Sequence, residues 1–127
     1  MRPVSIALCA ALFLLLAACE KTLEPPYTPG VCFHLVTQRD GRAKFNVLAT
    51  GQRDLEHCAA ELEKMRLSFR ALGVNQGVVV GSYQGQFLFL QREGVFTAQN
   101  YTGYRYPFLI RGPGGELVKA GGVITTP

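Results

Sequence analysis

Six apolar residues, Leu55, Cys58, Leu62, Met65, Phe69 and Leu72, recur at steps of three and four. That period places them in one stripe along a single helix. The pattern predicts a helix over residues 54–72. Asp54 can cap its start, and Arg66 and Arg70 suit the negative end of its dipole. Gly73 can adopt the left-handed conformation that ends it. Fewer than three heptads are too few to prefer a coiled coil. A helix with one apolar stripe needs a surface to bury it on, and the rest of the chain supplies strands.

Residues 31–37 and 43–49 are β-rich runs joined through Asp40-Gly41, a dipeptide that tolerates the positive φ of a tight hairpin. Residues 77–83 and 86–92 form a second hairpin turning at Gln84-Gly85, and Arg92-Glu93-Gly94 turns again into 95–98. In 104–111, Tyr104, Tyr106, Phe108 and Ile110 alternate with Arg105, Pro107, Leu109 and Arg111. Pro107 lacks an N–H and marks an edge strand. Gly112 to Gly115 turns into 116–120, and 121–127 forms a tail. No internal repeat is present. The expected fold class is α+β: a mostly antiparallel sheet, ββα then a β-meander, with one amphipathic helix on one face. One helix covers only one face, yet Leu88 and Leu90 alternate with Phe87 and Phe89. The second face must be covered by the 104–110 strand, a second copy or a partner.

The N-terminus carries a different signal. Arg2 precedes an apolar run, Val4 to Ala18, broken only by Ser5 and shorter than the roughly 20 residues that span a bilayer. Leu16-Ala17-Ala18-Cys19 closes it. This segment resembles a bacterial lipoprotein signal with its lipobox. Cys9 fits less well, because Ile6 and Leu8 put bulk where small residues belong. The competing readings are an ordinary signal peptide with a chance cysteine, or an uncleaved anchor. The resemblance implies a diacylglyceryl group on the Cys19 sulfur, and two or three acyl chains anchor stably where one is marginal. Glu20 stands where aspartate retains such proteins in the inner membrane of enteric bacteria. The implied address is therefore the periplasmic side of the outer membrane rather than the inner. The domain reading is 1–18 signal peptide, 19–30 lipidated cysteine and Pro-rich tether, 31–120 folded domain, 121–127 tail. Pro25, Pro26 and Pro29 predict an extended tether, about 3.1 Å per residue and roughly 30 Å in all.

Removing residues 1–18 leaves 109 of 127 residues, enough for one modest core. Of the four cysteines, Cys9 leaves with the signal and Cys19 takes the lipid. Cys32 and Cys58 remain, and an even pair in an oxidising compartment defaults to a disulfide. Basic residues outnumber acidic ones 13 to 9, but they are scattered rather than blocked. With an envelope address, nucleic acid is not the expected partner.

HCAAELEKMRLSFRALG followed by GSYQGQFLF, within residues 57–90, resembles a group of small alphaproteobacterial envelope proteins. The resemblance supports the helix-then-hairpin order and implies no activity.

The catalytic inventory is thin. Cys32, His34, His57 and Cys58 lack zinc-finger spacing, and a helix turns His57 about 100° from Cys58. Ser68 or Ser82 with a histidine and Asp40 or Asp54 would make a triad, but no motif surrounds either serine. Glu56 and Glu63, two turns apart on the helix, read as a solvated face rather than as an acid–base pair. Gly112-Pro113-Gly114-Gly115 opens no helix, so it does not read as a phosphate loop. No catalytic residue, metal or cofactor is expected. Tyr101, Tyr104, Arg105 and Tyr106 combine residue types enriched in binding hot spots. They are the expected partner surface, Tyr104, Arg105 and Tyr106 outward with Phe108 and Ile110 inward. The expectation is a non-catalytic, lipid-anchored accessory or structural domain that binds an envelope protein or glycan. The alternative is a small inhibitor of a secreted enzyme such as a lysozyme.

Overall fold

The computed structural model describes residues 22–74 and 77–119. Cys19, the signal segment before it, Glu20 and the tail lie outside the described residues. Within them the chain folds as one α-helix on a seven-stranded antiparallel sheet. This is the expected α+β class, dominated by the sheet.

The strands are β1 (Cys32–Thr37), β2 (Ala43–Ala49), β3 (Val79–Tyr83), β4 (Gln86–Gln91), β5 (Gly94–Ala98), β6 (Tyr106–Arg111) and β7 (Leu117–Lys119). Their order is β2-β1-β3-β4-β5-β6-β7, so after the helix the chain returns beside β1 and then meanders outward. Local chemistry explains the turns. Gln84 and Gly85 both take positive φ, 45° and 83°, as a two-residue hairpin of this hand requires. At the first hairpin Gly41 has φ 83°, and the Gln38 N–H bonds to the Arg42 carbonyl at 2.7 Å.

Helix α1 (Leu55–Ala71) starts at Asp54, whose carboxylate accepts the His57 N–H at 2.8 Å. It ends in a Schellman arrangement. The Gly73 N–H reaches the Arg70 carbonyl at 3.0 Å, and the Val74 N–H reaches the Phe69 carbonyl at 2.9 Å. Gly73 supplies the positive φ of 76° that this geometry needs. The buried helix residues are Cys58, Ala59, Leu62 and Glu63. Leu72, expected in the stripe, is the C-cap and stands 78% exposed.

The helix packs on β2, β1, β3 and β4. On this face Cys32, Cys58, Leu62, Val79, Tyr83, Leu88, Leu90, Val95 and Leu109 form the main core. Burying an aliphatic side chain such as Leu62 contributes about 2 kcal/mol. Cys32 and Cys58 are disulfide-bonded, Cα to Cα 5.2 Å, and staple β1 to the first turns of the helix. Gly81 lets the helix approach: a Cβ there would lie 2.4 Å from Leu62 Cδ1 and 2.6 Å from the Phe33 carbonyl oxygen.

The other face is centred on Phe87 and Phe89, both fully buried, with Ala98. Its cover comes from this chain. Leu23, Leu35, Phe45, Val80 and Phe96 pack around the two rings. Tyr101 lies 5.8 and 6.0 Å from them, centroid to centroid. The Arg105 guanidinium sits 3.6 Å above the Phe89 ring. Thus the loop before β6, rather than β6 itself, folds over this face.

Two expectations change here. Residues 22–30 do not stand off as a tether. Leu23 joins the phenylalanine cluster, and the Gly30 N–H donates to the Gln84 side chain at 3.0 Å. The Gly30 carbonyl accepts the Gln52 N–H at 2.8 Å. Proline stiffness lowers the entropy lost when such a segment docks, so the segment forms a strap. Secondly, the β6 alternation breaks. Val95 pairs with Leu109 but Phe96 pairs with Pro107, leaving Phe108 as a bulge. Phe108 and Leu109 consequently both pack on the helix-side core. β7 pairs only with Leu109, Ile110 and Arg111, so among the described residues β6 has a free outer side from Tyr106 to Phe108. Pro107 therefore lies on an edge within a strand that is interior at its other end.

Candidate functional site

The aromatic segment divides in two. Tyr101 and Arg105 turn onto the Phe87–Phe89 cluster, although Tyr101 keeps 41% of its surface exposed. Tyr104 and Tyr106 point to solvent, 73% and 61% exposed, with their rings edge to face at 4.8 Å. Edge-to-face contact holds the two rings in one arrangement before anything binds. They border a shallow hollow of about 470 Å³ with Gln86, Thr97, Asn100 and Thr102. A second hollow, about 760 Å³, lies between the strap and Tyr83, Gln84, Gln99 and Asn100. Gln86, Gln99 and Asn100 line both, so the strap's beginning and the tyrosine pair share one end of the sheet.

The triad considered from sequence, and set aside there, finds only two of its three members together. His57 donates through Nδ1 to Asp54, and its Nε2 faces the Arg53 guanidinium at 2.9 Å. The hydrogen bond from His57 holds the Asp54 carboxyl below the usual carboxylate range. No serine completes the chain. Ser68 donates to the Lys64 carbonyl at 3.0 Å, and Ser82 is fully buried without a hydrogen-bond partner among the described residues. The Arg53–His57–Asp54 row is an exposed helix cap. His34 packs 6.4 Å from Phe69, and burial lowers its pKa. Among the described residues no group of three or more His, Cys, Asp or Glu side chains is placed to hold a metal. No described helix is long and apolar enough to cross a membrane.

Glu63 is the residue that periodicity misplaces. Rather than facing solvent, it is buried between the helix and the far end of the sheet. Its carboxylate accepts from Arg66 at 2.7 and 3.1 Å and from both terminal nitrogens of Arg111 at 3.0 Å. Burial raises the Glu63 pKa, but hydrogen bonds from Arg66 and then Arg111 outweigh it and hold the carboxyl below its ordinary value. Arg111 also donates to the carbonyls of Arg92, Gln91 and Gly115 at 3.0, 3.0 and 3.3 Å, so all five of its N–H groups are engaged. Glu56 lies 3.6 Å from Lys119. Glu56 and Glu63 therefore both face basic residues of β6 and β7. The i to i+3 spacing of Glu63 and Arg66 was a readable signal; the partner 48 residues on was not.

These features define a small disulfide-stapled α+β domain with an open aromatic edge. No family model, curated protein or solved structure matches this chain.

Proposed function

We propose that this chain is a lipid-anchored, non-catalytic accessory domain of the bacterial envelope, facing the periplasm, that docks an envelope protein or glycan through Tyr104, Tyr106 and the free half of β6. The exposed, mutually packed tyrosine pair carries the reading. Two large rings held in solvent beside an unpaired strand edge suit a partner that adds backbone contacts and buries the aromatics. The titratable groups support the non-catalytic part, since Glu63, Asp54, His57 and Glu56 are each engaged in structural pairs. The strap supports a location close to the membrane, because it leads toward Cys19 from the same end of the sheet. A partner at that end is at the membrane surface too, which favours a membrane-associated protein over a glycan.

The test is photo-crosslinking in native membranes, with the crosslinker at position 104 and again at exposed Lys64. A partner captured from position 104 and not from 64 supports the reading. Capture of a secreted enzyme instead would favour inhibition, and equal capture from both positions would remove the site.

A further inference from the structure

At the opposite end of the sheet, three arginines share one hollow. Arg66 and Arg70 come from the last turns of α1, and Arg92 comes from the turn after β4. The cavity is about 360 Å³, and Phe69 and Val79 give it an apolar wall. Among the described residues no carboxylate lines it. Glu63 sits to one side and receives Arg66, Glu116 lines only the adjacent hollow, and Glu93 is the turn neighbour of Arg92. Among the described residues neither Arg70 nor Arg92 has an ion-pair partner.

The buried pair behind this cavity organises it. Glu63 fixes the Arg66 guanidinium through Nε and a terminal nitrogen. Arg111 fixes Glu63 and also binds the Gln91 and Arg92 carbonyls, so it holds the turn that carries Arg92. Arg66 shares the single Glu63 carboxylate with Arg111, and Arg70 and Arg92 have no acid partner among the described residues, so the group carries net positive charge that an anion between them relieves. Guanidinium groups present paired N–H donors that match carboxylate and phosphate oxygens. We propose that this cavity binds a phosphate or carboxylate group carried on a short apolar or aromatic stem, the oxyanion between Arg66, Arg70 and Arg92 and the stem against Phe69 and Val79.

β4 separates this cavity from the strap end by six residues, about 20 Å. On the anchored reading the cavity opens away from the protein's own membrane. Headgroups of that bilayer are then the wrong source, and a soluble or polymer-borne anion is the right one. The cavity itself does not depend on the anchor.

The experiment titrates the mature chain, in nonionic detergent, with phenyl phosphate, with inorganic phosphate, and with a short-chain phosphatidylglycerol. NMR shifts at the three arginine side chains and calorimetry provide the readouts. Phenyl phosphate is expected to bind saturably with Kd below about 1 mM, more tightly than inorganic phosphate, and less tightly as salt rises. Arg70→Gln with Arg92→Gln should weaken it at least about tenfold. Arg42→Gln, at the first hairpin, should leave it unchanged. Because Arg70 and Arg92 are exposed, the double variant should keep the wild-type melting temperature. The shift map and salt dependence test the native chain regardless. Absence of saturable binding, unchanged affinity in the double variant, or arginine shifts with the phosphatidylglycerol alone would overturn the proposal.

Discussion

Glu63 in the middle of the helix and Arg111 at the end of β6 form a two-point ion pair, 3.0 Å at each oxygen. Both side chains are largely buried, 12% and 16% exposed. This pair ties the helix to the outer half of the sheet, which the helix backbone does not cover. Taking two charges out of water is costly, and the bridge is sound only because Arg66 and three carbonyls satisfy the remaining groups.

Glu63→Gln should therefore cost about 2–4 kcal/mol at neutral pH, since it leaves Arg66 and Arg111 without their shared anion. The pH dependence has a fixed sign. Glu63 titrates lower in the folded protein than in the unfolded chain. Its contribution is full above the unfolded value of about 4.3 and fades as pH falls through the folded value. Urea melts of wild type and variant should converge on acidification. A gap that stays constant from pH 7 to pH 3 would show that the charge contributes nothing.

Gly81 and Leu62 are fitted to each other across the helix–sheet interface. Gly81→Ala should destabilise by about 2 kcal/mol or more, because the added methyl meets Leu62 and the Phe33 carbonyl. Leu62→Ala alone should cost about 2–5 kcal/mol. The double variant should lose less than the two costs added, since truncating Leu62 removes one of the two obstacles. Strict additivity in denaturant melts would refute that coupling.

Elements whose signal is local were readable from sequence. The helix from Asp54 to Gly73, the turns at Asp40-Gly41 and Gln84-Gly85, and the Cys32–Cys58 pairing depend on neighbouring residues or on one compartment argument. What escaped depends on contacts between distant segments. Glu63 has the local profile of a surface residue, and only the arrival of Arg111 makes its burial favourable. Residues 22–30 have a linker's composition, and only the second sheet face gives Leu23 a place. The strict alternation read across 104–111 fails because one bulged residue at Phe108 resets the phase. Tyr101 and Arg105 belong to the residue types of a binding surface, yet the Phe87–Phe89 cluster draws them inward. Tyr104 and Tyr106, of the same composition, stay outside.

The disulfide joins residues 26 apart in sequence, and both ends are fully buried. Cys32→Ala with Cys58→Ala should lower stability by about 3 kcal/mol on the chain-entropy account. Dithiothreitol should shift the wild-type melt in the same direction and leave the double variant unmoved. Peptide mapping of the unreduced protein isolated from cells should recover the Cys32–Cys58 crosslink, and two free thiols would contradict the staple.

The tyrosine pair and the phenylalanine pair should separate binding from folding. Tyr104→Ala with Tyr106→Ala removes only exposed rings, so partner capture should fall while the melting temperature moves by no more than a few degrees. Phe89→Ala empties the centre of the second face and should cost about 3–5 kcal/mol. If the tyrosine variant unfolds the domain, those rings are structural and the docking surface is lost.

On the anchored reading, the strap sets how far the domain would stand from a lipid on Cys19. With Leu23 docked, only residues 20–22 intervene, a reach of at most about 14 Å rather than about 30 Å. Cys19→Ala should abolish labelling by a clickable fatty acid, and unchanged labelling would remove the anchor. Docking is tested separately by amide hydrogen exchange at Gly30, whose N–H donates to the Gln84 side chain at 3.0 Å. Leu23 in the phenylalanine cluster and Tyr27, whose ring packs over Gly85, hold the segment before it. Exchange of that amide requires the strap to lift. Leu23→Ala with Tyr27→Ala removes both side chains, and exchange should accelerate about tenfold or more, the equivalent of about 1.4 kcal/mol of lost docking. Equal exchange rates in wild type and variant would return residues 22–30 to the status of a free tether.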